Sequence, residues 1–480
     1  MNYFSNKSFK NFSDNKFLLI SFPYMLLFIF LTLLVRNNPF FWDTIHLASK
    51  QANWFYDNNF NKFLLPDDFD SGHFPLFGFT LAVFWKIFGR SLLVSHFMML
   101  PFLLLIVWQT IKLLKYFLSE NIFILLSAGV IFLNPVFLGQ ASLVSPDIVL
   151  FFFFIFSLNN ILYNNRKLLI ISLLGLSLIS LRGLMCVVIL FIFDVFRYIF
   201  ENKKVIFKVL FFRGLFYFLI CIPVISFLIY HYFKKGWIGY HSASPWAQCF
   251  ILQGFKGIMF NIIIIAWRLI DFGNVFVLIL LFIFIKKIFY NNNSTILSIL
   301  LITSLVILLP TMLIYKNLTM HRYLLPIYFS ISLLVTYLLF EISKTDKLKK
   351  IIVATILIIG LVSGNFWIYP DKISQGWDAT LAHLPYYKLR KEMFDFIKFN
   401  KIDFAQVGAY FPMADENKYI DLIDDKIKIE PFSSEKHKFV IYSNIFNDVS
   451  DNEIDIFFKD YKIIKYSERY GVKMILFKVN

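Results

Sequence analysis

Cysteine is scarce: Cys186, Cys221 and Cys249 are the only three in 480 residues. They are odd in number and far apart, so they suggest neither a disulfide framework nor a thiolate metal site. Acids are also in short supply, 31 Asp and Glu against 47 Lys and Arg, for a formal net charge of +16. No repeat of 20–50 residues is evident, which sets aside solenoid and propeller architectures. The opening MNYFSNKSFKNFSDNK runs into an apolar stretch without a small-residue cleavage site, so that stretch reads as a retained span and not a removed signal peptide.

What the chain has in abundance is apolar surface: 58% of its residues are hydrophobic and 62 are Phe. Such a composition excludes an ordinary water-soluble domain for its early part and implies a polytopic α-helical membrane protein. The basic excess has a definite location. From residue 371 onward 17 Lys and Arg face 18 Asp and Glu, which leaves 30 bases against 13 acids in residues 1–370. Bases beside membrane spans mark cytoplasmic loops, so the charge argues for sidedness and against nucleic acid.

Runs long enough to cross about 30 Å of hydrocarbon lie near 17–35, 92–117, 121–139, 147–164, 167–182, 184–200, 207–232, 258–285, 295–315, 322–341 and 350–368, eleven spans in all. The segment 74–89, FPLFGFTLAVFWKIFG, is shorter and holds Lys86. If it does not cross, the later basic clusters at Lys112 and Lys115, Arg166 and Lys167, Arg197 to Lys208, Lys286 and Lys287, and Lys344 to Lys350 all share the side of the N-terminal lysines. If it crosses, they invert against the positive-inside rule. It therefore reads as a helix lying in the outer interface, and the loop 36–91 reads as extracytoplasmic. Residues 371–480 mix helical and alternating patterns, with Arg469-Tyr470-Gly471 as a turn between strands. They read as a small soluble α/β domain on the same outer side, following a 1–370 membrane domain.

Against this background the acids of the outer loop stand out. In FWDTIHLASKQANWFY, Trp42, Ile45, Ala48, Ala52 and Phe55 recur at helical spacing, giving an amphipathic surface helix with Asp43 near its start. In DDFDSGHFPL, Asp70 and His73 precede a Pro and a second interfacial helix, and Asp67, Asp68 and Asp70 are oxygen donors suited to a hard divalent cation or to solvent. Asp147 follows Pro146 at the start of a span, where it either caps the helix or faces the same pocket as Asp43. Asp194 with Arg197, and Asp271 with Arg268, have the spacing of neutral pairs on one helix face.

An outer-face Asp after the first span, then HFPLFGFTLAVFWKIFGRSLLVSHFMML, then NPVFLGQASLVSPDIVLFFF, then MHRYLLPIYFSISLL, resembles the membrane-embedded GT-C glycosyltransferases. The nearest branch is that of the dolichyl-phosphate-mannose protein mannosyltransferases and the bacterial aminoarabinose lipid A transferases, over residues 15 to 345 in order. Where that family has Asp-Glu this chain has Asp43-Thr44, and the family's HPPL reads His73-Phe74-Pro75-Leu76. The resemblance implies a GT-C fold in a bacterial cell membrane and transfer of a hexose or pentose from a polyprenyl-phosphate donor to an extracytoplasmic acceptor. It implies Asp43 as general base, Asp147 and Asp70 supporting the acceptor or a cation, and Lys316, His321 and Arg322 holding the phosphate, with His73 part of the same outer site. His241 and Trp246, in KKGWIGYHSASPWAQCF, would line the entrance. A transporter, a flippase or a polymerase of lipid-linked glycans is the rival reading. Transporters tend to break helices in matching halves, and no such symmetry is visible in the sequence.

Overall fold

The computed structural model describes residues 15–203 and 205–479. The opening segment 1–14 and Lys204, both used above to argue sidedness, lie outside the described residues. The membrane part is built from α1 (Asn15–Val35), α2 (Gln51–Asp57), α3 (Leu76–Phe88), α4 (Leu92–Phe117), α5 (Asn121–Phe132), α6 (Pro135–Ala141), α7 (Pro146–Leu162), α8 (Arg166–Ile179), α9 (Leu181–Asn202), α10 (Phe207–Lys235), α11 (Phe255–Ile270), α12 (Asn274–Ile283), α13 (Asn292–Ile314), α14 (Leu325–Tyr337) and α15 (Lys347–Ser363). In hydrocarbon a helix satisfies its own backbone groups, which is why nearly every apolar run takes this form.

Each of the eleven expected spans is helical, but they are not eleven straight spans. Among the described residues seven helices are long and apolar enough to cross, and two bent pairs bring the number to nine: α5 with α6 at 68° and α11 with α12 at 94°. The other two, α7 and α8, have 17 and 14 residues, about 25 and 21 Å at 1.5 Å per residue. The bends have local causes. Asn134 caps α6 by accepting from the Val136 amide, and Pro135 occupies the first helical turn. At the second break Phe272 and Gly273 both take positive φ, 50° and 81°. A Cβ on Gly273 would lie 2.1 Å from the Gly360 carbonyl, so only glycine lets α15 approach there. The two breaks touch: the Asn134 amide donates to Asn274 Oδ1 at 2.7 Å, with both residues buried.

Before α2 the chain makes a π-helical turn, Ile45–Lys50, and the expected inner face of Trp42, Ile45, Ala48, Ala52 and Phe55 is buried. α3 packs on α2 through Phe77, Leu81 and Trp85. Its 13 residues span about 20 Å, short of a bilayer core. The pairing expected for Asp194 is corrected: its partner is Arg213, at 2.5 Å, while Arg197 turns to Glu201 four residues on. Asp271 lies 3.7 Å from Arg268 as the spacing suggested, and it also bonds His321.

The C-terminal part adds α16 (Pro385–Phe399), β1 (Val407–Ala409), α17 (Asn417–Ile420), β2 (Glu430–Pro431), β3 (Phe439–Ser443), α18 (Asp451–Asp460), β4 (Lys462–Arg469) and β5 (Val472–Lys478). The sheet order is β2-β1-β3-β5-β4, parallel among the first three strands and antiparallel at β5. Tyr470 and Gly471 both take positive φ, the two-residue turn that suits a twisted hairpin. The core beneath the sheet includes Met393, Ile397, Val440, Phe457 and Leu476, and the same cluster takes in Phe41, Trp42 and Leu143 of the membrane part. The sheet thus sits directly on the segment that carries Asp43.

Candidate active site

Three carboxylates converge on one guanidinium. Arg322 sits in a short 3-10 turn, His321–Leu324, which Pro326 follows in the first turn of α14. One of its terminal nitrogens donates to Asp43, the other to Asp378 at 2.7 Å, and Nε lies 3.5 Å from Asp147. Asp147 is in turn held at 2.5 Å by Arg182, which lies flat over the Tyr323 ring at 3.8 Å. Two cations therefore face three acids that come from the loop after α1, the start of α7 and the segment ahead of α16.

Each acid is placed by local geometry. Asp43 follows Trp42, whose φ of 52° is rare for a bulky residue. Such strain costs on the order of 1–3 kcal/mol and tends to collect at functional sites. The Thr44 hydroxyl closes the turn, accepting from the Phe41 amide and donating to the Phe41 carbonyl. Asp147 occupies the first turn of α7 behind the Ser145 cap. Asp378 is brought in by Gln140, whose amide donates to its backbone oxygen at 2.9 Å and its carboxylate at 3.3 Å. Gly139 makes this possible, since a Cβ there would stand 2.7 Å from the Asp378 carbonyl.

The acids differ in access. The Asp43 side chain is 19% exposed, against 10% for Asp147 and 5% for Asp378; Arg182 is 21% exposed and Arg322 only 6%. The open edge of the cluster therefore carries one carboxylate and one cation. Burial alone would raise the Asp43 carboxyl, but the Arg322 charge and hydrogen bonds from Arg322 and Trp246 hold it below the usual carboxylate range. At Asp378 burial prevails: aided by Asp43 and Asp147, it pushes the carboxyl up despite Arg322. An ionised Asp43 with a free edge can accept a proton, whereas Asp378 is walled in beside the guanidinium it orients.

Aromatic groups border Asp43. Trp246, close enough to help lower the Asp43 carboxyl, meets the His46 ring edge-on at 5.6 Å, and His46 stacks on Phe411 at 5.5 Å. Burial, with Lys50 nearby, pushes His46 down to about 4, so it is neutral near pH 7. The Cys249 thiol is pushed up to about 11 by burial and by the Asp43 and Asp448 charges, so it stays protonated and is not a nucleophile there. Burial and the Asp43 charge likewise raise Asp448.

The other expected residues are placed elsewhere. Asp70 is buried in a second cluster: it accepts from the Gly72 amide at 2.9 Å, lies 3.0 Å from His231 and 3.5 Å from Lys235. Asp67 pairs with the same Lys235 at 2.5 Å, His241 meets the Asp67 carbonyl and the Trp237 ring, and Asp68 is exposed. Two of the three loop carboxylates, Asp67 and Asp70, thus turn toward one lysine, and Asp68 does not join them. No group of three metal-ligating side chains occurs among the described residues. His73 bonds the Phe74 carbonyl and is influenced by both Asp70 and Arg182, so it lies between the clusters. His321 is buried against Asp271 at 2.9 Å, and Tyr369 bonds the same carboxylate. Lys316 is exposed, and only its backbone is bonded, to Ile251. Arg182 and Asp378 were not anticipated; the one sequence signal for Arg182 was a base at the end of an apolar run.

No family model matches the sequence, and no curated protein matches it by sequence. Two crystal structures of ArnT from Cupriavidus metallidurans are similar in fold. The undecaprenyl phosphate complex aligns with a TM-score of 0.54 and the apo state with 0.52, each at 10% identity over 95% of this chain and 98% of the other. At that identity the likeness establishes the fold: a polytopic GT-C membrane arrangement carrying a small C-terminal sheet.

Proposed function

We propose that this chain is an integral-membrane glycosyltransferase that moves a hexosyl or pentosyl group from a polyprenyl-phosphate donor to an extracytoplasmic acceptor, with Asp43 as general base. The observation that carries the reading is the pairing of the half-buried, ionised Asp43 with Arg322 in a site whose other open group is Arg182. Binding of undecaprenyl phosphate by ArnT, which has the same fold, supports the donor class. The acceptor hydroxyl gives its proton to Asp43 as its oxygen bonds the anomeric carbon. The carbon–oxygen bond to phosphate breaks, and the phosphate leaves with the electron pair.

The leaving phosphate gains negative charge and needs a donor with free N–H groups. In this reading Arg182 supplies them. Arg322, whose terminal nitrogens are both committed to carboxylates, acts as the clamp that keeps Asp43 charged and oriented. Asp147 links the two arginines. Trp246 and His46 border the acceptor side.

The transporter reading has one observation in its favour, the two helix breaks. Yet those breaks bond each other through Asn134 and Asn274, and the cavity beside Asn134 is about 10 Å³, room for roughly one water. A bond between the two breaks, with so little space beside it, is the geometry of a brace and favours the transferase reading. The deciding experiment incubates purified protein with radiolabelled polyprenyl-phosphate sugars and an envelope lipid extract. Label moving to acceptor, with free polyprenyl phosphate released and Asp43→Asn inactive, supports the reading. Label carried across a vesicle bilayer with the sugar–phosphate bond intact would overturn it.

A further inference from the structure

At the far ends of α7, α8 and α9 from the acid cluster lies a cavity of about 290 Å³, lined by Asn160, Arg166, Asp194, Arg213 and apolar side chains that include Val209 and Phe212. It is a separate site. Asp147 and Asn160 are near opposite ends of α7, and Arg182 and Asp194 are well apart on α9, separations of about 20 and 18 Å along the helices. The basic clusters discussed above assign this end to the cytoplasmic leaflet.

Its polar groups are incompletely satisfied in two complementary ways. Asn160 is 1% exposed; its amide nitrogen donates to the Phe156 carbonyl, and its Oδ1 has no partner among the described residues. Arg213 gives one terminal nitrogen to Asp194, while its buried Nε–H has no acceptor among the described residues. Arg166 is exposed beside them, so the pocket carries two guanidiniums against one carboxylate. A buried acceptor and a buried donor without partners each cost about 1–3 kcal/mol, so a ligand that supplies both is favoured. The α10 side of the mouth is apolar, lined by Val209, Phe216 and Phe212, the last 55% exposed.

We infer that this cavity binds the headgroup of an anionic glycerophospholipid. The phosphodiester would accept from Arg213 and Arg166, a headgroup hydroxyl would donate to Asn160 Oδ1, and the acyl chains would leave past Phe212. The site's net positive charge favours phosphatidylglycerol over a zwitterionic lipid, and choline, which lacks a hydrogen-bond donor, leaves Asn160 unmet. The same phosphate chemistry could come from a soluble anion; the apolar mouth selects the lipid.

The test uses full-length protein, delipidated in detergent and titrated with phosphatidylglycerol, phosphatidylcholine or soluble glycerophosphoglycerol, read by thermal unfolding and native mass spectrometry. Phosphatidylglycerol should raise Tm and persist as a one-to-one adduct, and the other two should do so weakly or not at all. Arg166→Glu, at an exposed position where an acid suits the helix N-terminus, should fold and weaken phosphatidylglycerol binding by about 10-fold or more, the scale of one charge-assisted hydrogen bond. Asn160→Leu should narrow the preference over phosphatidylcholine; if that variant does not fold, Arg166→Glu decides alone. An adduct unchanged in Arg166→Glu, or phosphatidylcholine binding equally well, would overturn the assignment. Equal binding of glycerophosphoglycerol would make the cavity a soluble-anion site and overturn it too.

Discussion

Arg322 donates to Asp378 at 2.7 Å across 56 positions of sequence, and its other terminal nitrogen holds Asp43. The orientation of the guanidinium at the proposed base is therefore set by a residue beyond the last long apolar helix. Asp378→Ala removes one charge-assisted hydrogen bond, on the scale of 1.5–3 kcal/mol, and should cut turnover by about 10-fold or more. Donor KM should change little. Steady-state kinetics at saturating and limiting donor separate the two, and a pure KM effect would place Asp378 on the donor instead.

Asp43→Asn keeps the size of the side chain and most of its hydrogen bonding but cannot take the acceptor proton. Transfer should fall by roughly 100-fold or more, the usual scale for a general base. Donor binding should largely survive, as judged by retention of labelled lipid. Because Asn can still accept from Arg322, near-normal transfer would mean that Asp43 serves only as a partner of that guanidinium.

The pH profile gives a signed test. Burial raises and Arg322 lowers the Asp43 carboxyl, with a net fall, so the base stays ionised to below the ordinary carboxylate value of about 4. The acid limb of kcat/KM should lie there, and the stability contributed by the charged pair should likewise persist above that range and be lost as pH falls through the lowered value. Arg322→Gln removes the largest influence opposing burial and should move the acid limb upward. An unmoved limb would separate Arg322 from the titrating group.

Arg182 is the open cation of the site, stacked on Tyr323 and bonded to Asp147 through one nitrogen. Arg182→Ala should raise donor KM more than it lowers kcat at saturation. Arg322→Ala should do the reverse. If the two variants exchange these effects, the phosphate belongs to Arg322.

Sidedness can be measured directly. Phe399, 87% exposed on the C-terminal part, and Lys349, at the start of α15, are expected on opposite faces of the membrane. In a background without the three native cysteines, Phe399→Cys in intact cells should react with an impermeant thiol reagent and Lys349→Cys only after permeabilisation. Labelling from the same side would refute the assignment of residues 371–480 to the extracytoplasmic face.

Much of this arrangement was legible in the sequence because it rests on periodicity and local chemistry. The buried face from Trp42 to Phe55, the Tyr470-Gly471 turn, and the meeting of Asp43, Asp147 and Arg322 were all expected. Asp378 was not, because it follows the last apolar run in a stretch that reads as water-soluble, and nothing local announces the chain's return to Gly139. Hydropathy also concealed the helix breaks. It is a sum over a window and has no direction, so a 94° bend at Phe272-Gly273 leaves it unchanged. His321 beside Arg322 read as a second phosphate ligand, yet Asp271 claims it.

The bond between Asn134 and Asn274 bears on how the molecule is made. The α5–α6 corner emerges from the ribosome 140 residues before the amide that steadies it, and until then its exposed polar groups must be met by water, lipid headgroups or the insertion machinery. The cluster around Asp43 is completed later still, because Arg322 and Asp378 follow both asparagines in the chain.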